Sequence, residues 1–266
     1  MDKSKKNTND IRDSNIKIPL KSFKRDTIKN EIINIVKTHD LNIRDIAISP
    51  DEKYLISCSE LKHDEVPYVL VWNTEKLLEK QNDPAAILKT EGEKQNKSKD
   101  PQLANWLLCV DSTIKKADGE DLWFVCTGSL YGELYIWSGK IDENSREWIF
   151  ENSNFKKISI LEEEEHVQRA IFKIKILESI NLDNIFSIYL VLNDIQTIGS
   201  ESTNISTIKE ITLKVDQSIL GLEINSSKII GTHNGWILAF DLYNKTSLSN
   251  NERFIVSGSS DGIIKK

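Results

Sequence analysis

The residues best suited to chemistry are the four histidines, His39, His63, His166 and His233, which fall in separate stretches of the chain. Imidazole beside carboxylates can serve acid–base catalysis or hold a metal. His63 is followed by Asp64 and Glu65, a local set able to hold a divalent metal loosely. His166 closes the run "LEEEEH" (161–166), which could recruit a basic partner or Ca²⁺. Neither has the surroundings such sites need, a helix face for the ligands or a Gly-punctuated loop. Solvated surface loops account for both, the second self-repelling. No Gly-rich phosphate loop or nucleophile elbow occurs. Carboxylates at matching positions in several segments, as an acid-lined enzyme channel requires, are not evident. Cys58, Cys109 and Cys126 are odd in number, lack C-x-x-C spacing and sit in apolar stretches. They read as buried free thiols of a reducing compartment. The sequence therefore offers no catalytic, cofactor-binding or metal-binding residue.

The elements that would position any such group are strands. "IRDIAIS" (43–49) alternates apolar and polar residues, the pattern of a strand with one buried face. "PDEK" (50–53) is a turn, and "YLISCS" (54–59) and "VLVWN" (69–73) are further strands. "EIINIVKTHD" (31–40) precedes them, and "AAILKT" (85–90) resembles its core. After a Lys-rich loop (91–104), "WLLCVDSTI", "LWFVCTG" and "ELYIWS" continue the pattern to 138. "KISILEEEEH" (157–166), "RAIFKIKIL" (169–177) and "IFSIYLVLN" (185–193) form a third set. "STIKEITLKV" (206–215) is expected to open a fourth, with "SILGLEIN", "KIIGTH" and "WILAFD" ending it at 241. The helical composition of "TEKLLEKQ" (74–81) allows one or two turns. Trp106, Trp123, Trp148 and Trp236 are expected to pack between sheets.

A four-strand unit thus recurs. The units resemble WD repeats, which build β-propellers. In that family an aromatic–acidic pair closes the third strand of a blade, and Trp72-Asn73, Trp137-Ser138 and Phe240-Asp241 stand at that point. A His normally follows the outer strand, and His39 and His166 hold plausible positions without the usual Gly. The turn between second and third strands usually reads Asp-Gly. It is Asp261-Gly262 here, with Tyr131-Gly132 and Asn234-Gly235 as variants, as a turn needing positive φ requires. The resemblance implies a buried tetrad of His, Ser or Thr, turn Asp and Trp, which stabilises only when every member is satisfied. His39, Ser57 and Trp72 are its members in the first unit, with Glu60 or Asp64 in place of the turn acid. The resemblance makes His39, Ser57, Trp72, Trp137, His166, Asn234, Asp241 and Asp261 structural repeat positions rather than a catalytic triad.

The expected fold is all-β: a propeller of four-stranded antiparallel blades spanning 29–266, after a flexible polar tail at 1–28 whose Lys3, Lys5 and Lys6 could meet an acidic partner. The units run roughly over 31–73, 85–138, 157–200 and 206–241, with a partial one at 246–266. Seven blades of roughly 40 residues would need about 280, more than the 266 present, so an incomplete or open propeller is expected, completed by a partner or by self-association, unless the closed form is small. "SLSNNERFIVSGS" (247–259) matches "AISPDEKYLISCS" (47–59) at a constant offset of 200, pairing Ser57 with Ser257 and Ser59 with Ser259. The short join between Asp241 and Thr246 suggests residues missing around 242–246, and others are expected after Lys266.

A net charge of −6 argues against general nucleic-acid binding. No apolar run approaches the roughly 20 residues of a membrane span, and the N-terminus lacks the apolar core of a secretory signal. The resemblance implies a non-catalytic, intracellular scaffold, cytoplasmic or nuclear, that assembles proteins through loops near 60–68, 91–104, 139–156 and 161–166. The alternative is the sensor portion of a larger enzyme such as an NTPase or kinase, with a propeller enzyme third.

Overall fold

A computed structural model describes residues 39–61, 66–90, 106–117, 119–160, 169–178, 184–194, 205–216, 218–246 and 251–266. All lie in the compact unit Asn34–Lys266. The expected tail at 1–28, the Lys-rich loop at 91–104, the His63 cluster and His166 fall outside the described residues.

Alternating sequences become strands that pair with their sequence neighbours. The first sheet holds β1 (Ile43–Ile48), β2 (Tyr54–Ser59), β3 (Tyr68–Asn73) and β4 (Ala86–Lys89) in that order. The second holds β5 (Leu107–Ala117), β6 (Glu120–Ser129), β7 (Glu133–Ile141) and β8 (Trp148–Ser159). The third holds β9 (Arg169–Glu178), β10 (Ile185–Asp194), β11 (Ser206–Asp216) and β12 (Ser218–His233). The fourth holds β13 (Ile237–Thr246), β14 (Asn251–Ser259) and β15 (Ile264–Lys265). Every pairing is antiparallel. The four sheets form the blades of a propeller. The single helix among the described residues, α1 (Thr74–Leu78), starts where Asn73 Oδ1 accepts from Lys76 N at 3.0 Å and stops before Lys80, at φ 63°.

Burial of sheet faces holds the blades together. Ile56, Cys58 and Val71 of the first sheet pack on Trp123, Val125 and Trp137 of the second. Phe124, Cys126 and Ile136 meet Ile171, Phe186 and Ile188 of the third, with the Phe124 and Phe186 rings 5.1 Å apart. Tyr189, Val191 and Ile208 then meet Ile237 and Phe240 of the fourth. Among the described residues no apolar cluster joins the fourth sheet to the first. On that side Ile46 and Ile48 are 58% and 62% exposed, and Ile264 is 78% exposed.

Several strand assignments differ from the sequence expectation. Residues 206–215 do not open a fourth unit: β11 pairs along β10 from Ile185↔Lys214 to Leu192↔Thr207 and is the third strand of the third sheet. Without an aromatic–acidic close, it gave no sign of that role. Asp241 does not end a third strand. It lies within β13, the innermost strand of the last sheet, paired with Val256. Residues need not be missing at 242–246, because β13 runs unbroken through Thr246 and pairs with β14 to Thr246↔Asn251. Asn234-Gly235 is not a hairpin turn between second and third strands but the crossover from β12 to β13. The segment 139–156 is mostly the β7–β8 hairpin rather than a loop. Gly132 and Gly262 do sit in turns between second and third strands, at φ 74° and 79°.

Candidate functional site

The hydroxyl, imidazole and indole groups singled out in the first unit converge at the end of the first sheet. His39 Nε2 lies 2.8 Å from Ser57 Oγ, and His39 Nδ1 lies 2.9 Å from Ser59 Oγ. Trp72 Nε1 donates to Ser57 Oγ at 3.1 Å. The protons can be placed. Ser59 donates its only hydroxyl proton to Glu60 O at 2.9 Å, so its oxygen accepts from His39 Nδ1–H. Nε2 is then the acceptor, and Ser57 donates to it while accepting the indole N–H. Burial lowers the His39 pKa, against a smaller opposing pull from Asp40, which suits the neutral ring this pattern needs. Ser59 fills the place expected for Glu60 or Asp64. Glu60 instead pairs with Arg44 and accepts from Asn42.

The last sheet repeats the arrangement with an acid. His233 Nε2 lies 2.9 Å from Ser257 Oγ, and Nδ1 lies 3.1 Å from Asp261 Oδ2. A carboxylate only accepts, so His233 carries its proton on Nδ1, as His39 does. Asp261 also accepts from the backbone N–H of Asn234 and Ile263. Burial would push its carboxyl up, but the donors Ile263 N, His233 and Ser259 outweigh it and hold the pKa below the usual carboxylate value. His233 is not legible as a repeat position in the sequence, because its strand reads there as the second of a blade and not the outer one. Trp137 does not join such a set: its Nε1 donates across the blade boundary to Lys89 O at 3.2 Å. The third sheet has Leu190 where the others carry Ser57, Thr127 and Ser257.

A recurring β-bulge aligns the four innermost strands. One unpaired residue interrupts each: Arg44 in β1, Leu108 in β5, Phe172 in β9 and Leu238 in β13. Counting from the bulge, Asp45, Cys109, Lys173 and Ala239 are equivalent. Two residues further on, Ala47, Asp111, Lys175 and Asp241 are equivalent. All of these but the buried Cys109 border a central cleft of about 680 Å³. Lys173 Nζ stands 3.7 Å from Asp45 Oδ1, and Lys175 Nζ stands 3.9 Å from Asp241 Oδ1. Asp45 Oδ2 accepts from Val110 N at 3.3 Å, and Asp111 Oδ2 accepts from Ile176 N at 2.8 Å. Each of these two carboxylates therefore caps the open edge of the next innermost strand. Burial raises the Asp111 pKa, opposed by the N–H donors of Ile176 and Ser112. The matched carboxylates Asp111 and Asp241 were invisible in sequence because Asp241 had been placed on an outer part of its blade.

The family model described as WD domain, G-beta repeat matches residues 30–63 and 225–266. Over these two segments the chain matches the WD-repeat family. The matches cover the two segments that carry the His39 and His233 networks, and the second runs from the outer strand β12 through β15. No curated protein matches the chain. Its three thiols are buried and unpaired, with burial pushing Cys58 up to about 12 and Cys109 and Cys126 well above the usual thiol value. Among the described residues of the chain, no group of three or more His, Cys, Asp or Glu side chains is placed to hold a metal. Nor is any described helix long and apolar enough to cross a membrane.

Proposed function

We propose that this chain is a non-catalytic scaffold that assembles other proteins on the rims of its propeller. The WD-repeat fold supports a protein-interaction role in general. The observation that carries the finer reading is where the buried polar networks go: they tie strand ends and turns rather than present a reactive group. His39 bonds both hydroxyls at the end of β2, and Asp261 ties the β14–β15 turn to His233 and Asn234. Such ties hold rim segments in fixed positions, as a docking platform requires. Antiparallel order puts the β6–β7 and β14–β15 turns on one rim with the crossover from β12 to β13. That rim exposes Trp236, and Arg44 stacks over Trp106 at 5.1 Å. The opposite rim carries α1 and the β7–β8 turn, bridged by Lys76 and Glu147 at 3.0 Å. The free thiols support work in a reducing, intracellular compartment.

The test is affinity capture from cells with the wild-type chain and two rim variants, Trp236→Ala and Lys76→Glu. Distinct proteins retained by the wild type, and lost separately from each variant, support the scaffold. Capture no richer than that of an unrelated propeller of similar charge would overturn it.

A further inference from the structure

The central cleft holds charges of both signs that the protein leaves incompletely satisfied. Lys173 and Lys175 project from β9, and at 3.7 and 3.9 Å their ammonium groups are beyond hydrogen-bonding distance of Asp45 and Asp241. Among the described residues neither ammonium donates a hydrogen bond, although each has three N–H groups to give. Asp241 Oδ1 accepts from Leu242 N at 2.9 Å, while Oδ2 has no partner among the described residues. The other two carboxylates are more engaged: Asp45 with Val110 N, and Asp111 with both Ser112 N and Ile176 N. Most of the remaining wall is apolar, and Ile46, Ile48, Val256 and Ile264 give it branched side chains.

A ligand of one sign fits this cleft poorly. An anion drawn to the lysines meets Asp45 and Asp241 within 4 Å of them, and a cation drawn to Asp241 meets Lys175. A dipolar ligand can satisfy both, and a branched side chain on it would cover the isoleucines. The cleft volume of about 680 Å³ is within the range of small-ligand sites. We propose that the central cleft binds a small zwitterion with branched apolar side chains, a free amino acid or a short peptide with both termini free. The carboxylate lies on Lys173 and Lys175, and the ammonium lies on Asp241. This site is independent of the scaffold reading, since the rims can dock proteins whether or not the cleft is filled.

The probe is L-leucyl-L-leucine, titrated into the full chain by calorimetry and by saturation-transfer NMR. N-acetyl-Leu-Leu keeps only the carboxylate, and Leu-Leu amide keeps only the ammonium. Each capped form is expected to bind about tenfold or more weakly, as the loss of a charge-assisted contact implies. Lys175→Met should weaken the dipeptide but not the amide, whose ammonium then no longer meets the lysine. Asp241→Asn should weaken the dipeptide but not the acetylated form, whose carboxylate then no longer meets the acid. Both side chains are substantially exposed, at 46% and 79%, and a melting curve checks that each variant folds. Should a variant fail to fold, the capped series on the wild type still decides. No binding up to several millimolar, capped forms binding as tightly as the parent, or both variants binding like the wild type would each overturn the proposal.

Discussion

Replacing Ser57 with alanine removes the hub of the His39 network. Ser57 Oγ donates to His39 Nε2 at 2.8 Å and accepts from Trp72 Nε1 at 3.1 Å. His39 is 7% exposed and Trp72 is 2% exposed, so water cannot readily replace the hydroxyl. The mutation therefore leaves one buried acceptor and one buried donor unmet. Each such orphan costs about 1–3 kcal/mol, so the two together cost about 2–6 kcal/mol. A loss of about 3 kcal/mol corresponds to about 6–12 °C in a domain of this size. The measurement is the shift of the urea unfolding midpoint at constant m. Two controls separate hydrogen bonding from packing. Ser57→Thr keeps the hydroxyl, and Thr127 already occupies the matching place in the second sheet, so it should cost less than about 1 kcal/mol. In a Trp72→Phe background the indole donor is gone, and Ser57→Ala should then cost about 1 kcal/mol less than in the wild type. A loss below about 0.5 kcal/mol for Ser57→Ala, or an equal loss for Ser57→Thr, would refute the network as a source of stability.

Gly128→Ala should cost about 1–3 kcal/mol, because the new Cβ would lie 2.3 Å from Ile171 Cγ2 and 2.5 Å from its Cβ; denaturant unfolding checks it, and an unchanged midpoint contradicts the close approach of the second and third sheets. The lowered pKa of His39 has a defined sign: the folded ring resists protonation more than the unfolded one, whose value is 6.5. Stability from this site is thus present above 6.5 and is lost as the pH falls through the lower folded pKa, so unfolding free energy should drop from pH 7 to pH 5, with a shallower slope in His39→Gln. With Cys58 pushed up to about 12 and all three thiols buried, the native chain should react with iodoacetamide far more slowly than the urea-unfolded chain; equal rates would contradict the burial. Asp111→Asn should destabilise the chain by about 1–3 kcal/mol although burial disfavours the charge, because both carboxylate oxygens accept backbone N–H bonds and an amide turns one of those positions into a donor.

Much of the fold was legible in short-range pattern. Alternation marked β1 and β2, and the turn glycines Gly132 and Gly262 sit at the positive φ their positions require. The match of 247–259 to 47–59 put Ser257 opposite Ser57, and the structure gives both the same role, each bonded to a histidine Nε2. Legibility failed where the local signal was shared by two roles. A strand with two buried faces reads the same in third or first place, so β11 was misplaced, β12 was read as two strands and β13 was put in third place. That shift took Asp241 away from the axis and hid His233. The exchange of an acid for Ser59 was equally unreadable, because any nearby polar side chain can complete a histidine and only distance selects among them.

The amino-acid sequence by itself determined the strands, the turns and the repeat that relates the two ends of the chain, because those depend on side-chain period and on which residues tolerate a tight turn. The tertiary structure alone decided what shares a site. Lys173 and Asp45 are far apart in the chain, and so are Lys175 and Asp241, yet stacking sheets around one axis turns one layer of each innermost strand toward a common cleft. Strand pairing places charges along a sheet, whereas packing between sheets determines which of them meet.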